Sequence, residues 1–417
     1  MPQLPLYSVL PFVLMLLSIA VIPLINAKWW HHNYPKVSLL IGAPMAVVVA
    51  VINWQWLYKT SVDYVSFIIL LGSLFIISGG ILLRENLKIS SINNGIVLVI
   101  GAVLANLIGT TGAAMLLIRP LIRMNAERKY KAHLIVFFIF IVANIGGSLT
   151  ALGDPPLFLG FLQGVPFFWT FKLLPAWSLN NGLLLLIFLV IDFVLMKREG
   201  FRDKAKRNGA PVKIYGKRNL LFLAGVILAI LIFPELPAVQ VIIMITMAFL
   251  SFKLTPKKYR QENGFTWAPI KEVAILFAAI FATMIPALQI LETRGAELGI
   301  QTPYQFFWAT GVLSSFLDNA PTYLSFLSLA KSVCATLSHS SVLLFDGSHI
   351  TEEILMAISM GAVFMGANTY IGNGPNFMVK SIAEEAKINM PSFFGYMVWS
   401  ILILIPIFIL DTFIFFM

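Results

Sequence analysis

The chain has 417 residues, of which 59% are hydrophobic and only 12% are charged, and its mean hydropathy is +0.88. This composition excludes a water-soluble globular protein. The formal net charge of +10 comes from Lys and Arg residues that stand in the breaks between apolar runs; because the positive-inside rule accounts for them there, no nucleic-acid partner is expected.

Apolar runs of about 18 residues or more, each long enough to cross a hydrocarbon core roughly 30 Å thick, recur along the chain. The runs are continuous rather than alternating, and inside a bilayer only a helix satisfies such a backbone internally. The sequence therefore predicts an all-α polytopic membrane protein, with the lipid bilayer as its partner. We predict ten transmembrane spans, at residues 6–27, 37–58, 63–83, 133–172, 178–196, 218–233, 238–252, 272–291, 351–388 and 392–416.

Two further apolar stretches carry polar and small residues at their midpoints. Residues 93–122 contain Gly109 and Thr110 near the centre, and residues 304–331 contain Asp318. Each stretch is too interrupted for one straight span but long enough to enter the membrane and return. The pattern predicts two re-entrant hairpins.

The distribution of charge predicts the orientation of the chain. Residues 197–218 include nine Lys or Arg, and the segments 253–271 and 123–131 are also basic, so all three should be cytoplasmic. The first hairpin then opens toward the cytoplasm and the second toward the outside. This assignment gives two oppositely oriented hairpins, places both termini outside, and fits a multi-pass protein of the cell inner membrane.

An internal repeat supports the same architecture. Residues 147–156 (GSLTALGDPP) match residues 366–375 (GANTYIGNGP) at Gly, Thr, Gly, the Asp/Asn position and the last Pro, and each copy follows a predicted hairpin. Opposite hairpin orientations imply inverted repeats, as in secondary transporters whose sites lie where helices are broken. The predicted division is an N-terminal span and loop at 1–36, a first repeat at 37–197, a basic cytoplasmic loop and linking span at 198–237, and a second repeat at 238–417.

Both repeat motifs contain Gly and Pro in places where a helix cannot continue. The broken helices 133–172 and 351–388 should therefore expose half-helix ends, which bind ions. Asp154 and Asp318 are costly at mid-membrane unless they serve a function, and we predict that they bind Na⁺ as a transported or coupling ion. The other predicted ligands of the ion or substrate are Asn106, Thr110, Thr111, Asn144, Thr150, Gly153, Asn319, Thr322, Thr369, Gly372, Asn373 and Asn376.

The other features of the sequence do not indicate a further functional site. Asp192 and Asp411 lie near predicted span ends, where we expect carboxylates that are structural or solvated by headgroups. No phosphate-binding loop is present, and the single cysteine, Cys334, offers no cysteine-based metal site. We expect no enzymatic activity and no cofactor.

Three motifs together resemble the ion transporter superfamily, which includes NhaD-type sodium/proton antiporters, arsenite efflux carriers, citrate transporters and divalent anion/sodium symporters. They are residues 143–154 (ANIGGSLTALGD), 314–322 (SSFLDNAPT) and 372–376 (GNGPN). The resemblance covers nearly the whole chain. It implies a homodimer in which a mobile transport domain, carrying both hairpin tips and both broken helices, moves against a scaffold as an elevator.

The branch of the superfamily follows from departures within these motifs. The Ser-Asn-Thr signature of the symporters is missing at both tips, which read GTTG at 109–112 and LDNA at 317–320. Asp154 and Asp318 instead match the acids of the NhaD-like pattern, and a carboxylate can exchange H⁺ for Na⁺. We therefore predict a sodium/proton antiporter working by alternating access. The alternatives are a citrate or other organic-anion carrier coupled to a cation, since similar chains are often labelled citrate carriers, and a non-transporting receptor or scaffold.

Overall fold

A computed structural model of the chain describes residues 4–84, 89–200, 213–234, 236–335 and 341–417. Part of the predicted basic loop, residues 201–212, lies outside the described residues. Within the described ranges, seven helical stretches are long and apolar enough to cross a membrane, which confirms an all-α polytopic membrane protein. The count of ten spans stays a prediction.

The first stretch contains the helix α1 (Leu10–Gly79), which the non-helical residues Asn26 and Asn53 divide into three segments. Each asparagine side chain caps the segment that follows, because Asn26 Oδ1 accepts from the Trp29 amide at 3.0 Å and Asn53 Oδ1 accepts from the Gln55 amide at 3.0 Å. The prediction of a second span at 37–58 was therefore wrong at both ends, because the helical segment already begins after Asn26. The structure ends that segment at Asn53.

The next helix, α2 (Ser91–Met124), is a hairpin that turns at Gly109. Gly109 has φ +76°, a conformation that glycine adopts without a steric penalty. At the open end the side-chain amides of Asn94 and Asn125 donate to each other at 3.1 and 2.7 Å, so both arms end on the same side. The predicted hairpin at 93–122 is thus present as two antiparallel helical arms.

A broken helix and a long helix follow the first hairpin. The break is longer than the predicted Gly-Asp-Pro-Pro sequence, because regular α-helix already ends at Ile141 and resumes only at Pro155. A 3₁₀ turn at Ile145–Leu149 lies within the break. The elements are α3 (Ala132–Ile141), α4 (Pro155–Leu162) and α5 (Leu174–Arg198).

The connection to the second half contains the strand β2 (Lys213–Tyr215), which pairs antiparallel with β1 (Leu82–Arg84), the short strand between α1 and α2. The helices here are α6 (Arg218–Ile232), α7 (Pro237–Leu254), α8 (Lys257–Glu262) and α9 (Ala268–Arg294). All three segments of α1 pack on α9: Phe12 shares a cavity wall with Ala287, a Cβ on Gly42 would lie 2.9 Å from Ala279 Cα, and the Phe67 and Phe277 rings are 5.0 Å apart.

The second half repeats the order of a hairpin, a broken helix and a long helix. Leu317 and Asp318 form the hairpin tip, and a 3₁₀ turn at Met365–Asn368 lies in the break. Between the hairpin and the broken helix, the strands β3 (Ser341–Leu343) and β4 (His349–Thr351) pair antiparallel. The helices are α10 (Pro303–Phe316), α11 (Asn319–Cys334), α12 (Glu352–Phe364), α13 (Gly374–Glu385) and α14 (Phe393–Phe415).

A buried ionic cluster closes the open end of the first hairpin. The Asp192 carboxylate of α5 pairs with the Arg128 guanidinium and lies 2.7 Å from His133 Nε2, while Asn94 Nδ2 donates to it at 3.0 Å. Arg128 Nε also donates to Glu199 at 3.0 Å. Asp192 is therefore structural, as expected, but it is buried in protein rather than solvated by headgroups.

We expect replacement of Arg128 by Met to destabilise the protein by about 3–5 kcal/mol, because the buried Asp192 carboxylate would lose its cationic partner. Thermal unfolding in detergent measures the effect. Lys129→Met is the matched control, since Lys129 is exposed next to Arg128 in the same loop. Equal melting temperatures for the two variants would show that the cluster does not stabilise the fold.

Candidate ion and substrate site

Asp154 is the centre of the candidate site. Its side chain is only 1% exposed, and no ion pair to it is found among the described residues. Its Oδ1 accepts from Thr110 Oγ1 at 2.8 Å and from Asn373 Nδ2 at 3.1 Å, and its Oδ2 accepts from Asn319 Nδ2 at 2.6 Å. Three neutral donors thus hold one buried carboxylate.

These four residues come from four different structural elements. Thr110 lies at the tip of the first hairpin and Asn319 at the tip of the second, while Asp154 and Asn373 each end the break of a broken helix. A helix begins immediately at or after every one of them. Four helix N-termini therefore converge on one point in the interior, and their dipoles favour a negative charge there.

Asp318 lies beside this centre but is not bonded to it. The Asp318 carboxylate caps α11 by accepting from the Ala320 amide at 3.1 Å, and it is close enough to Asp154 for the two negative charges to repel each other. The adjacent Asn319 uses its Nδ2 for Asp154, and its Oδ1 is buried without a hydrogen-bond partner. Carboxylate and amide oxygens in this arrangement suit a hard cation.

The two breaks are packed so tightly that each needs glycines. A Cβ on Gly153 would lie 1.9 Å from the Gly147 carbonyl oxygen, and a Cβ on Gly372 would lie 2.6 Å from the Gly366 carbonyl oxygen. The Gly153 carbonyl in turn accepts from the Thr110 amide at 2.8 Å. Gly153 and Gly372, which the sequence analysis named as ligands, therefore shape the backbone beside the site.

Several predicted ligands form hydrogen bonds with backbone groups of the breaks and of the hairpins instead of with Asp154. Asn106 donates to the Gly146 carbonyl at 2.7 Å and accepts from the Leu149 amide, and Thr150 donates to the Asn106 carbonyl at 2.5 Å. In the second half, the Thr369 hydroxyl donates to the Ser315 carbonyl. Buried backbone groups outside regular helices need such partners, so these side chains hold the breaks in place.

The remaining predicted residues have other surroundings. Asn144 Nδ2 donates to Asn376 Oδ1 at 2.7 Å, which joins the two halves of the chain. Thr322 donates to the Asp318 carbonyl within its own helix at 2.9 Å. Thr111 is half-buried and faces a small cavity beside the first hairpin tip. None of these three contacts Asp154 in the described structure.

Other residues that the sequence analysis did not name support the breaks from the long helices. Trp177 Nε1 of α5 donates to the Gly146 carbonyl at 2.8 Å, while in α14 the Tyr396 hydroxyl donates to the Ala367 carbonyl at 2.8 Å and Ser400 Oγ donates to the Asn368 carbonyl at 2.7 Å. These donors stand in apolar runs that match ordinary membrane spans. Only their hydrogen bonds in the structure show that they support the breaks.

Two cavities reach toward the site. One of about 60 Å³ separates the first hairpin tip from α1 and α9, which is room for about two water molecules. The other, of about 660 Å³, lies between α9 and the pair α4 and α11, and Leu159 and Leu324 line it about one turn beyond the converging N-termini. Lys331, in the last turn of α11, also lines this larger cavity. The larger cavity is a candidate route to the site.

Comparison with known proteins identifies the family. A protein-family model described as "Putative citrate transport" matches residues 1–416. The chain belongs to this family. No curated protein matches the sequence with significance. The family match confirms the predicted resemblance and its citrate-transporter-like branch, and it makes the chain a multi-pass secondary transporter. It favours the organic-anion alternative over the sodium/proton antiport that the sequence predicts.

Proposed function

We propose that the protein carries citrate or a similar organic anion across the membrane together with a cation. The observation that carries this proposal is the convergence of four helix N-termini on the Asp154 carboxylate. The helix dipoles attract the carboxylates of the anion, and Asp154 with the free Asn319 Oδ1 attracts the cation.

In this arrangement the organic anion and the cation each need the other in order to bind. Asp154 repels an organic anion, and in a low-dielectric interior that repulsion is large. A cation at Asp154, either Na⁺ or H⁺, removes the repulsion and lets the anion reach the N-termini. Coupling follows because each ligand binds well only when the other is present.

The architecture that fits this function is an inverted-repeat elevator. The order of hairpin, broken helix and long helix occurs twice, and the predicted orientations of the hairpins are opposite. In this proposal α1 and α9 belong to a scaffold that forms a homodimer, and the two hairpins move with both broken helices. The protein would lie in the inner membrane with both termini outside.

Sodium/proton antiport is the second candidate. It is favoured by the absence of any ion pair to Asp154 among the described residues, since a carboxylate held only by neutral donors can alternate between H⁺ and Na⁺. The helix N-termini would then serve only to stabilise the carboxylate. The two candidates differ in whether an organic anion crosses the membrane.

Flux measurements in proteoliposomes distinguish the candidates. We expect uptake of labelled citrate that is driven by an imposed Na⁺ or pH gradient and is absent from protein-free vesicles. A panel of mono-, di- and tricarboxylates, each supplied with and without the gradient, would define the substrate class. Exchange of Na⁺ for H⁺ without uptake of any of these acids would contradict the proposal and favour the antiporter.

A further inference from the structure

Three Asp residues are at most 1% exposed in the described structure, and they differ in how their charge is balanced. Asp192 pairs with the Arg128 guanidinium. Asp154 accepts three hydrogen bonds and lies at converging helix N-termini. Asp411 of α14 is 0% exposed, and its only side-chain hydrogen-bond partner among the described residues is the side-chain amide of Asn180 on α5. Of the three, Asp411 has the least support for a negative charge.

No other described ionisable group compensates Asp411. Besides Asp411, the described ionisable side chains of α14 and the helices packed on it are Tyr396 of α14, Tyr304 of α10, His133 of α3, and Asp192, Lys197 and Arg198 of α5. None of them bonds to or pairs with Asp411 within the described residues. Asp192, on the same helix as Asn180, is 12 residues away, or about 18 Å along the axis. An isolated charge there would be costly in a membrane.

The partner amide is itself incompletely satisfied. Asn180 Nδ2 lies 2.9 Å from both Asp411 oxygens and 2.9 Å from the Ala176 carbonyl, whereas Asn180 Oδ1 is buried without a partner. An ionised Asp411 has no proton to give to this oxygen. A protonated Asp411 does: after a small rotation of the amide, its O–H donates to Asn180 Oδ1 while its other oxygen accepts from Nδ2. The carboxylic acid therefore satisfies both groups.

We propose that Asp411 is held as a neutral carboxylic acid by Asn180 and is a proton-binding site of the transport cycle. Protonation adds one H⁺ to the carboxylate, and its release restores the charge. The assignment goes beyond the ion site at Asp154, because it places a second, separate cation on the helices that support the breaks.

Contacts connect this acid–amide pair to both breaks. Asn180 lies one turn beyond Trp177, which donates to the first break at Gly146. Thr412, next to Asp411, accepts from Trp308 Nε1 of the second hairpin at 3.0 Å, and α14 also holds the second break through Ser400. A charge that appears at Asp411 must be solvated or paired anew, so loss of the proton favours a different packing of these helices. This coupling role rests on the proposed organic-anion function.

Infrared spectroscopy of the purified protein in lipid tests the proton site without transport. Wild type should show the carbonyl stretch of a protonated carboxylic acid at neutral pH, and Asp411→Asn should lose that band. In Asn180→Leu the band should remain but move in frequency, because the amide partner is gone. If Asp411→Asn cannot be purified, that shift still identifies the acid. A spectrum in which neither variant changes the band, or in which wild type has none, overturns the proposal.

Transport assays test the coupling. In Asp411→Asn the site is permanently neutral, so citrate counterflow between equal pools should persist while accumulation driven by a pH gradient is lost. Accumulation that equals wild type in this variant overturns the coupling role. If wild type carries no organic acid, the proposed function fails, and the infrared result still decides whether Asp411 holds a proton.

Discussion

Replacing Asp154 by Asn should reduce cation-coupled transport roughly a hundredfold, because the lost charge contributes about 3 kcal/mol to cation binding. The side chains of Thr110, Asn319 and Asn373 all donate to the carboxylate. An amide in the same place has one oxygen and one NH₂ group, so it cannot accept all three hydrogen bonds and it carries no charge for the cation. The measurement is gradient-driven citrate uptake in proteoliposomes as a function of Na⁺ concentration and pH.

The matched control makes the same chemical change in an exposed acid. Glu297 lies after α9 and forms a salt bridge with Arg294 at the surface, so Glu297→Gln should leave uptake unchanged. Both variants should elute as folded protein, because relief of the buried charge offsets the broken hydrogen bond in Asp154→Asn and Glu297 lies at the surface. Wild-type dependence of uptake on cations in Asp154→Asn would show that the coupling ion binds elsewhere.

Replacing Gly153 by Ala should eliminate transport and destabilise the protein by about 3 kcal/mol or more, at or above the upper end of the usual effect of overpacking. The added methyl group would overlap the Gly147 carbonyl at 1.9 Å, and backbone atoms cannot rotate away as a flexible side chain can. The shift would also move the Gly153 carbonyl from the Thr110 amide at the hairpin tip. Thermal unfolding and citrate uptake on the same preparation measure both effects.

Two glycines provide controls for this substitution. A Cβ on Gly374, next to the second break, and a Cβ on Gly182, in α5, would each meet no atom within 4 Å in the described structure. Alanine at either position should leave both the melting temperature and uptake close to wild type. If Gly153→Ala behaves like these controls, the close packing of the break is not required for function.

The general plan of the fold follows from the sequence because composition and helix-breaking residues are local signals. Gly109 and Asp318 mark the hairpin tips, and the breaks before Pro155 and Gly374 lie where Gly and Pro interrupt apolar runs. Asn53 was missed as a helix boundary because one asparagine in an apolar run also suits a continuous helix. Its capping bond to Gln55 becomes visible only in the structure.

The candidate site was harder to predict in detail because one residue type serves two purposes there. Thr110 and Thr150 both lie in the motifs, but Thr110 donates to Asp154 whereas Thr150 donates to a backbone carbonyl. Asp411 was expected to be structural or solvated from its place near a span end, yet it is fully buried. Burial and partner identity depend on how distant helices pack, and no local pattern of the sequence encodes that packing.

The contacts of Asp154 also constrain how the protein is made. Of its three donors, Thr110 precedes it in the chain, whereas Asn319 and Asn373 follow 165 and 219 residues later. At a synthesis rate of roughly 5–20 residues per second, Asn373 is added about 10 to 40 s after Asp154. During that interval the first half lies in the membrane with an incompletely satisfied carboxylate, and Asn144 still lacks Asn376. The two halves therefore cannot fold independently, because the centre of the protein is completed only after Asn319 and Asn373 of the second half have been synthesised.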